Sequence, residues 1–350
     1  MRRREFISLV GGAAASPFLL AVNLRAQQTT MTRVGIVTIQ SPTSAPYAAF
    51  RQRLRELGYI EGQNLTLDFI NPSRQSEGGA GAVQELIRRK VDIVLAIYQA
   101  TMAAFVAAAP SRPVVMVAVD YDPLALGYIR SLAQPATEVT GLYLQQIDLA
   151  KKRVELLTQA VPDVHAATVF WDTASEDQWE ATASAAPEFG LQLADVQLLD
   201  QPYDYEKALA QVPPDLRSVV IFPASPVFYR DRERLAEFAV RHKIATVFAF
   251  REWVDAGGLF SYGVNFPAMF RRAAEFVDMI AKGSKPGTLP VEQPTIFELV
   301  VNLKTANAIG ITISPSVLVR ADAVIEQDLA CRGGIGLLLA HRVISRRCES

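Results

Sequence analysis

The stretch RVGIVTIQSPTSAPYAAFRQRLRELGYIEGQNLTLDFI, residues 33–70, holds the pattern that decides the fold. Its ends are short runs of Val, Ile, Leu and Phe that are apolar without alternation. The segment between them is amphipathic: Phe50, Leu54 and Leu57 share one face, and Gly58 stands where a helix stops. Strands that read as continuous apolar runs are covered on both faces, so the unit is a strand, a helix and a second, parallel strand. The same run type returns in DIVLAIY (92–98), PVVMVAV (113–119), ATVFW (167–171), LADVQLL (193–199), SVVIFPA (218–224), ATVFAF (245–250), LFSYGV (259–264) and FELVVN (297–302). Amphipathic stretches separate them, and the fold class is therefore α/β with mainly parallel sheets.

Length divides this pattern. About 320 residues beyond the opening segment exceed what one core usually organises, which predicts two lobes. A faint repeat agrees: LRELG precedes LTLDF in the first half, and PEFG precedes LQLADV in the second. Pro187 should end or kink the second of these helices near Ala186. The segment VTGLYL, residues 139–144, is the cleanest midpoint, and a new helix starts near Asp148.

The opening MRRREFISLVGGAAASPFLLAV has a basic start, a soft apolar run too short for a membrane span, and a polar exit near Ala26. Residues 1–26 thus read as an export signal, cleaved near Ala26. Arg3 and Arg4 before Phe6 fit the twin-arginine type, with the general route as the alternative. The mature protein is expected in the periplasm. Half of the residues are apolar and the net charge is −1, which gives no footprint for nucleic acid or anionic lipid. The two cysteines, Cys331 and Cys348, leave the body without a disulfide.

Enzyme chemistry finds little support. His165, His242 and His341 lack metal-ligand spacing, no G-x-S-x-G elbow occurs, and Gly283-Ser284-Lys285 lacks the upstream glycine of a phosphate loop. The GGAGA stretch at Gly78 reads as a flexible loop. Neither a catalytic residue, a cofactor nor a metal is expected. What stands out is the carboxyl ends of the strands, where open α/β sheets bind ligands. Ser41, Tyr98, Gln99, Asp120, Tyr121, Trp171, Asp172, Ser225, Phe228, Arg251 and Tyr262 fall there and form the candidate ligand-binding set. Rings would cover an apolar body, and a few polar groups would fix its polar end. Helix starts after Ser41, Gln99 and Ser225 would favour a carboxylate. Each residue also has a structural alternative: Asp120 or Asp172 as a helix cap, Arg251 paired with Glu252 or a surface acid, Tyr262 in the core.

Four runs carry a resemblance: AAFRQRLRELGYIEGQNLTLDF, DPLALGYIRSLAQPATEVTGL, FAFREWVDAGGLFSYG and LPVEQPTIFELVVNLKTANAIGITISPSVLVRADAVIE. Together, from Arg33 to Glu326, they resemble the substrate-binding proteins of ABC transporters, in the subfamily with tryptophan- and tyrosine-binding members. The resemblance implies a type I periplasmic binding protein: two Rossmann-like lobes, a three-segment hinge and a cleft between them. It places residues 32–140 and 263–288 in lobe 1, residues 141–262 and 289–327 in lobe 2, and leaves 328–350 as an atypical tail. Members usually carry small residues where Tyr98-Gln99 stands, so a narrower, more aromatic cleft is implied here. The implied work is capture of a small organic solute, such as an aromatic or branched amino acid or a related carboxylate. A monomer would deliver it to an inner-membrane ABC permease with its ATPase. The alternative is a periplasmic sensor that presents its closed form to a receptor kinase.

Overall fold

The computed structural model describes residues 31–108 and 111–326. The expected export signal and the tail at 328–350 lie outside the described residues. The first sheet is built from β1 (Thr32–Val37), β2 (Leu65–Ile70), β3 (Ile93–Ala96), β4 (Val114–Ala118) and β5 (Val139–Tyr143), in the order β2-β1-β3-β4-β5. Every pair in it is parallel. Helices α1 (Ala45–Glu56), α2 (Gly78–Arg88) and α3 (Gln99–Ala108) connect β1 to β2, β2 to β3 and β3 to β4. The GGAGA stretch is therefore helical, a correction of the loop reading. Its glycines form the start of α2, whose Ala82, Val83 and Leu86 are buried.

VTGLY, the expected midpoint, is the strand β5, and the crossing follows it. Gly141 has φ +132°, and a Cβ there would lie 2.1 Å from the Met116 carbonyl oxygen, so only glycine lets β5 reach β4. The chain leaves the first sheet after Tyr143, and Gln145 takes a left-handed conformation before α4 (Gln146–Ala160).

The second sheet contains β6 (Ala166–Trp171), β7 (Gln192–Gln197), β8 (Val219–Ile221), β9 (Ala245–Phe248), β10 (Phe260–Val264), β11 (Phe297–Asn302) and β12 (Ala323–Ile325). Their order is β12-β11-β10-β9-β8-β6-β7. Only the β10–β11 pair is antiparallel among its described pairings. Its helices are α5 (Glu176–Ala185), α6 (Tyr205–Gln211), α7 (Pro226–Arg230), α8 (Arg232–Arg241) and α9 (Arg251–Asp255), and after α10 come α11 (Leu303–Ile309) and α12 (Pro315–Arg320). Helix α5 ends at Ala185, and the Pro187 segment continues as one 3-10 turn, as a proline inside a helical pattern requires.

Helix α10 (Phe266–Ala281) follows β10 but packs on α1 and the first sheet. Asn265 caps it by accepting from the Ala268 N–H at 2.9 Å, and Pro267 occupies its first turn, where no N–H is missed. Its apolar face meets that of α1: Phe270 lies edge-on to Tyr47 at 5.2 Å, and Ala273, Ala274 and Val277 join the same core as Phe50 and Leu54. Ion pairs line the seam, with Arg53 on Glu275 and Arg271 on Glu56. A third connection then runs beside β5. Thr140 Oγ1 donates to the Leu289 carbonyl at 2.8 Å, and Tyr143 N–H donates to the Glu292 carbonyl at 2.9 Å. The two sheets are thus joined by three chain segments.

Phe270 is fully buried where two helices 200 residues apart in sequence meet, so Phe270→Ala should destabilise by about 3–5 kcal/mol. Denaturant unfolding with circular dichroism checks this, and a cost below about 1 kcal/mol would mean that α10 is not fixed on α1.

Candidate ligand cleft

Both sheets send their carboxyl ends toward the same space, and one hydrogen bond already spans it. Gln40, just past β1, donates from Nε2 to the Pro226 carbonyl of α7 at 2.7 Å. The Gln40 amide also faces the Tyr98 hydroxyl, which lies close to Tyr47, to Asp120 and, from the second lobe, to Tyr229. Burial holds the Tyr98 hydroxyl well above its ordinary value, so it stays a neutral donor and acceptor. Tyr98, Asp120 and the Gln99 backbone are the predicted residues that the structure brings together here.

Asp120 follows the end of β4 and is 8% exposed. Its Oδ1 accepts from the Gln99 N–H at 3.0 Å, which also fills the start of α3. Burial pushes its carboxyl from 3.8 up to about 7, and Asp177 and Asp172 of the second lobe push the same way. Burial likewise raises Asp177, whose Oδ1 accepts from the Gln178 N–H at 2.7 Å. On the other flank Glu252, in α9, is pushed up to about 7, again by burial first. Its Oε2 is buried and has no hydrogen-bond partner, and it faces Tyr229. Arg232 is the cation near this flank; its guanidinium lies over the Tyr229 ring at 5.4 Å and donates to the Tyr229 carbonyl. The space between the lobes is therefore acidic and tyrosine-rich, and no arginine or lysine pairs with Asp120 or Asp177 among the described residues.

Other predicted residues serve the scaffold. Asp172 Oδ2 accepts from Ser225 Oγ at 2.5 Å and Tyr203 Oη at 3.1 Å, while Oδ1 accepts from Ser175 Oγ at 2.9 Å. Ser225 Oγ in turn accepts from the Val227 N–H at 3.1 Å, so the start of α7 is satisfied from within, contrary to its expected use for a carboxylate. Phe228 is fully buried against Phe222 and Tyr203, and belongs to the core instead of lining the cleft. Trp171 stacks on Trp179 and donates to Asp195 at 3.0 Å, on the face of β6 opposite Phe170. Tyr262 packs on Phe297, and its carbonyl accepts at 2.9 Å from the buried Arg153. Tyr121 sits edge-on to Tyr128 in the first lobe's core. Arg251 pairs with Asp255 at 3.3 Å on the surface, the surface-acid alternative. Ser41 is exposed and shapes the turn before α1 through Thr43.

Sequence reading missed Tyr229 and Asp177, and took Glu252 only as a partner for Arg251. Each lies inside the helix that follows a strand. Tyr229 stands four residues after Ser225, one turn along the same face, and that spacing was the available signal. A cavity of about 590 Å³ lies elsewhere: Gly257, which precedes β10, and Ala236, Val240 and Ala308 line it at the amino ends of the parallel strands. It lacks the buried acids of the cleft.

Two α/β lobes with parallel sheets, three connections and facing polar strand ends define a periplasmic binding protein of type I. Solved structures share this fold. A conserved domain protein from Vibrio cholerae superposes with a TM-score of 0.74 at 24% identity, covering 85% of this chain and 100% of that one. The ABC domain in complex with L-Trp from Streptococcus pneumonia gives 0.72 at 23% identity, with the same coverage. The chain belongs to the ABC transporter substrate binding protein family, whose model matches residues 35–325. A tyrosine-binding protein of Clostridioides difficile is 23% identical over 265 residues, 74% of this chain and 75% of that protein.

The raised carboxyl of Asp120 has a signed consequence. Between about 4 and 7 the folded form holds its proton and the unfolded form does not, so ligand-free stability declines as pH rises through that window. Asp120→Asn should make this decline shallower and raise the melting temperature at pH 8. A lower melting temperature for the variant at pH 8 would contradict the burial argument.

Proposed function

We propose that the protein is the extracytoplasmic solute-binding component of an ABC importer. It captures a small amine-bearing organic solute, of the aromatic amino acid class, and hands it to a membrane permease. The observation that carries this reading is Asp120: a buried carboxylate between the lobes, bonded to the Gln99 N–H, facing other acids and, among the described residues, paired with no cation. A buried charge needs a counter-charge or a proton. A ligand ammonium supplies the first, and at the same time offsets the repulsion between Asp120 of one lobe and Asp177 of the other. A solute with only a negative charge would meet an acidic wall, which favours amino acids over simple carboxylates. Tyr98 gives a ring from the first lobe to cover an aromatic body, while the Tyr229 ring packs on Trp253 and Phe266 and brings its hydroxyl toward Glu252 and Tyr98. A tyrosine-binding relative and an L-Trp complex with the same fold support that choice.

Capture follows from differential contact. A ligand that touches both lobes binds the closed form better than the open one and shifts the population toward closure. Closure marks the loaded state for the permease. No step requires bond chemistry, and the chain is proposed to act as a periplasmic monomer without a cofactor, exported by the signal at residues 1–26 and working through its two lobes at 32–140 with 263–288 and 141–262 with 289–327.

L-tyrosine and L-tryptophan are the probes. Because their amine is cationic below about pH 9, affinity should fall as pH drops below 7 and Asp120 takes a proton, by up to about tenfold per pH unit. Asp120→Asn should weaken binding and flatten that profile, and Tyr98→Ala should weaken it by about 1–3 kcal/mol. Calorimetric titration between pH 5.5 and 8.5 checks both. Binding that is independent of pH and unchanged in Asp120→Asn would sink the amine reading.

A further inference from the structure

The site around Asp120 leaves a neighbouring cavity unexplained. On the β2 side of Gln40, the carboxyl ends of β1 and β2 frame a space of about 430 Å³. Gln40 and Ser41 wall it from the β1–α1 loop, Phe69 from β2, and Asn71 and Arg74 from the turn after β2. Gln40 is the shared boundary: the residue that reaches Pro226 of the second lobe also lines this cavity. The sheet order β2-β1-β3-β4 puts the cavity and Asp120 at the same edge of one sheet.

The charges at the two ends are opposite. Arg89, at the cavity's wall, is neutralised by Asp68 and Glu85, each at 2.6 Å. The Arg74 guanidinium, in contrast, has no ion pair or hydrogen bond among the described residues. Neighbouring strands lie ~4.8 Å apart, so the gap between β1 and β2 is roughly 12 Å from the end of β4. An extended chain covers at most ~3.3–3.6 Å per residue, so that span corresponds to about three residues.

We infer that this cavity is a second subsite of the cleft, which takes the anionic end of an elongated amine-bearing solute, a short peptide or comparable amide-linked acid, with Arg74 as its counter-charge. The inference rests on the amine reading of Asp120. Arg51 lies over the Phe69 ring at 4.9 Å, and Asn71 Oδ1 accepts from the Ser73 N–H, which leaves the Asn71 Nδ2 as the donor for the amide-rich middle of such a solute. A guanidinium distinguishes a carboxylate from a neutral amide of the same shape, because only the carboxylate gains a charge-assisted, two-point hydrogen bond.

The test uses L-tyrosine, tyrosyl-glycyl-glycine and the C-terminal amide of that tripeptide, titrated calorimetrically into the parent protein, Arg74→Gln and Asp120→Asn. The free tripeptide should bind the parent at least about tenfold more tightly than its amide, and in Arg74→Gln that ratio should fall to about one. Equal affinity for acid and amide in the parent, or a ratio that survives Arg74→Gln, overturns the subsite. L-tyrosine affinity that Asp120→Asn leaves unchanged overturns the amine reading instead, whatever Arg74 does. Failure of all three probes to bind at about millimolar concentration overturns both. Thermal melting of Arg74→Gln, an exposed turn residue, confirms that the folded protein is being compared.

Discussion

Parallel strands must be covered on both faces, and that constraint decides where this molecule can carry chemistry. With helices over each sheet, the strands themselves fill with Val, Ile, Phe and Ala, and polar groups are confined to the strand ends and the helices that start there. The return of α10 to α1 fixes the second part of the arrangement. Because the chain passes from the first sheet to the second at Tyr143, back at Asn265 and out again beside Glu292, the two sets of strand ends are held facing one another. Three connections join the two sheets, and Phe250 stacked on Phe266 at 4.4 Å carries one apolar core across from the second lobe to α10.

Much of this was legible in the sequence because burial and composition are tightly linked. Unbroken apolar runs marked the strands, Gly58 marked a helix end, and Pro187 a helix break. VTGLY, read as the midpoint, is also the last strand of the first sheet, because Gly141 lets β5 approach the Met116 carbonyl. One error came from glycine. GGAGA looked like a loop, yet Ala82, Val83 and Leu86 beyond it bury a face that holds those glycines in a helix.

The site was less legible, for a reason of parity. At a strand end, one residue decides between core and cleft: Phe170 and Trp171 point to opposite faces of β6, and both end in apolar cores. Asp172 and Ser225 were correctly seen as polar strand-end groups, but they hold each other and two helix starts in place. The residues that face the opposing lobe stand deeper in the following helices, as Tyr229 and Asp177 do, and their position depends on helix direction rather than on any local pattern.

What unites the cleft is an excess of acid over base. Burial raises the carboxyl groups of Asp120 and Asp177, and among the described residues no cation pairs with either. The central claim is that the solute supplies it, and proton release on binding tests that most directly. Titrating L-tyrosine at pH 7 in buffers of different ionisation enthalpy counts the protons exchanged. With Asp120 near its midpoint, capture of an ammonium should expel about half a proton, shrinking toward zero above pH 8.5. Zero exchange or proton uptake at pH 7 would contradict the account.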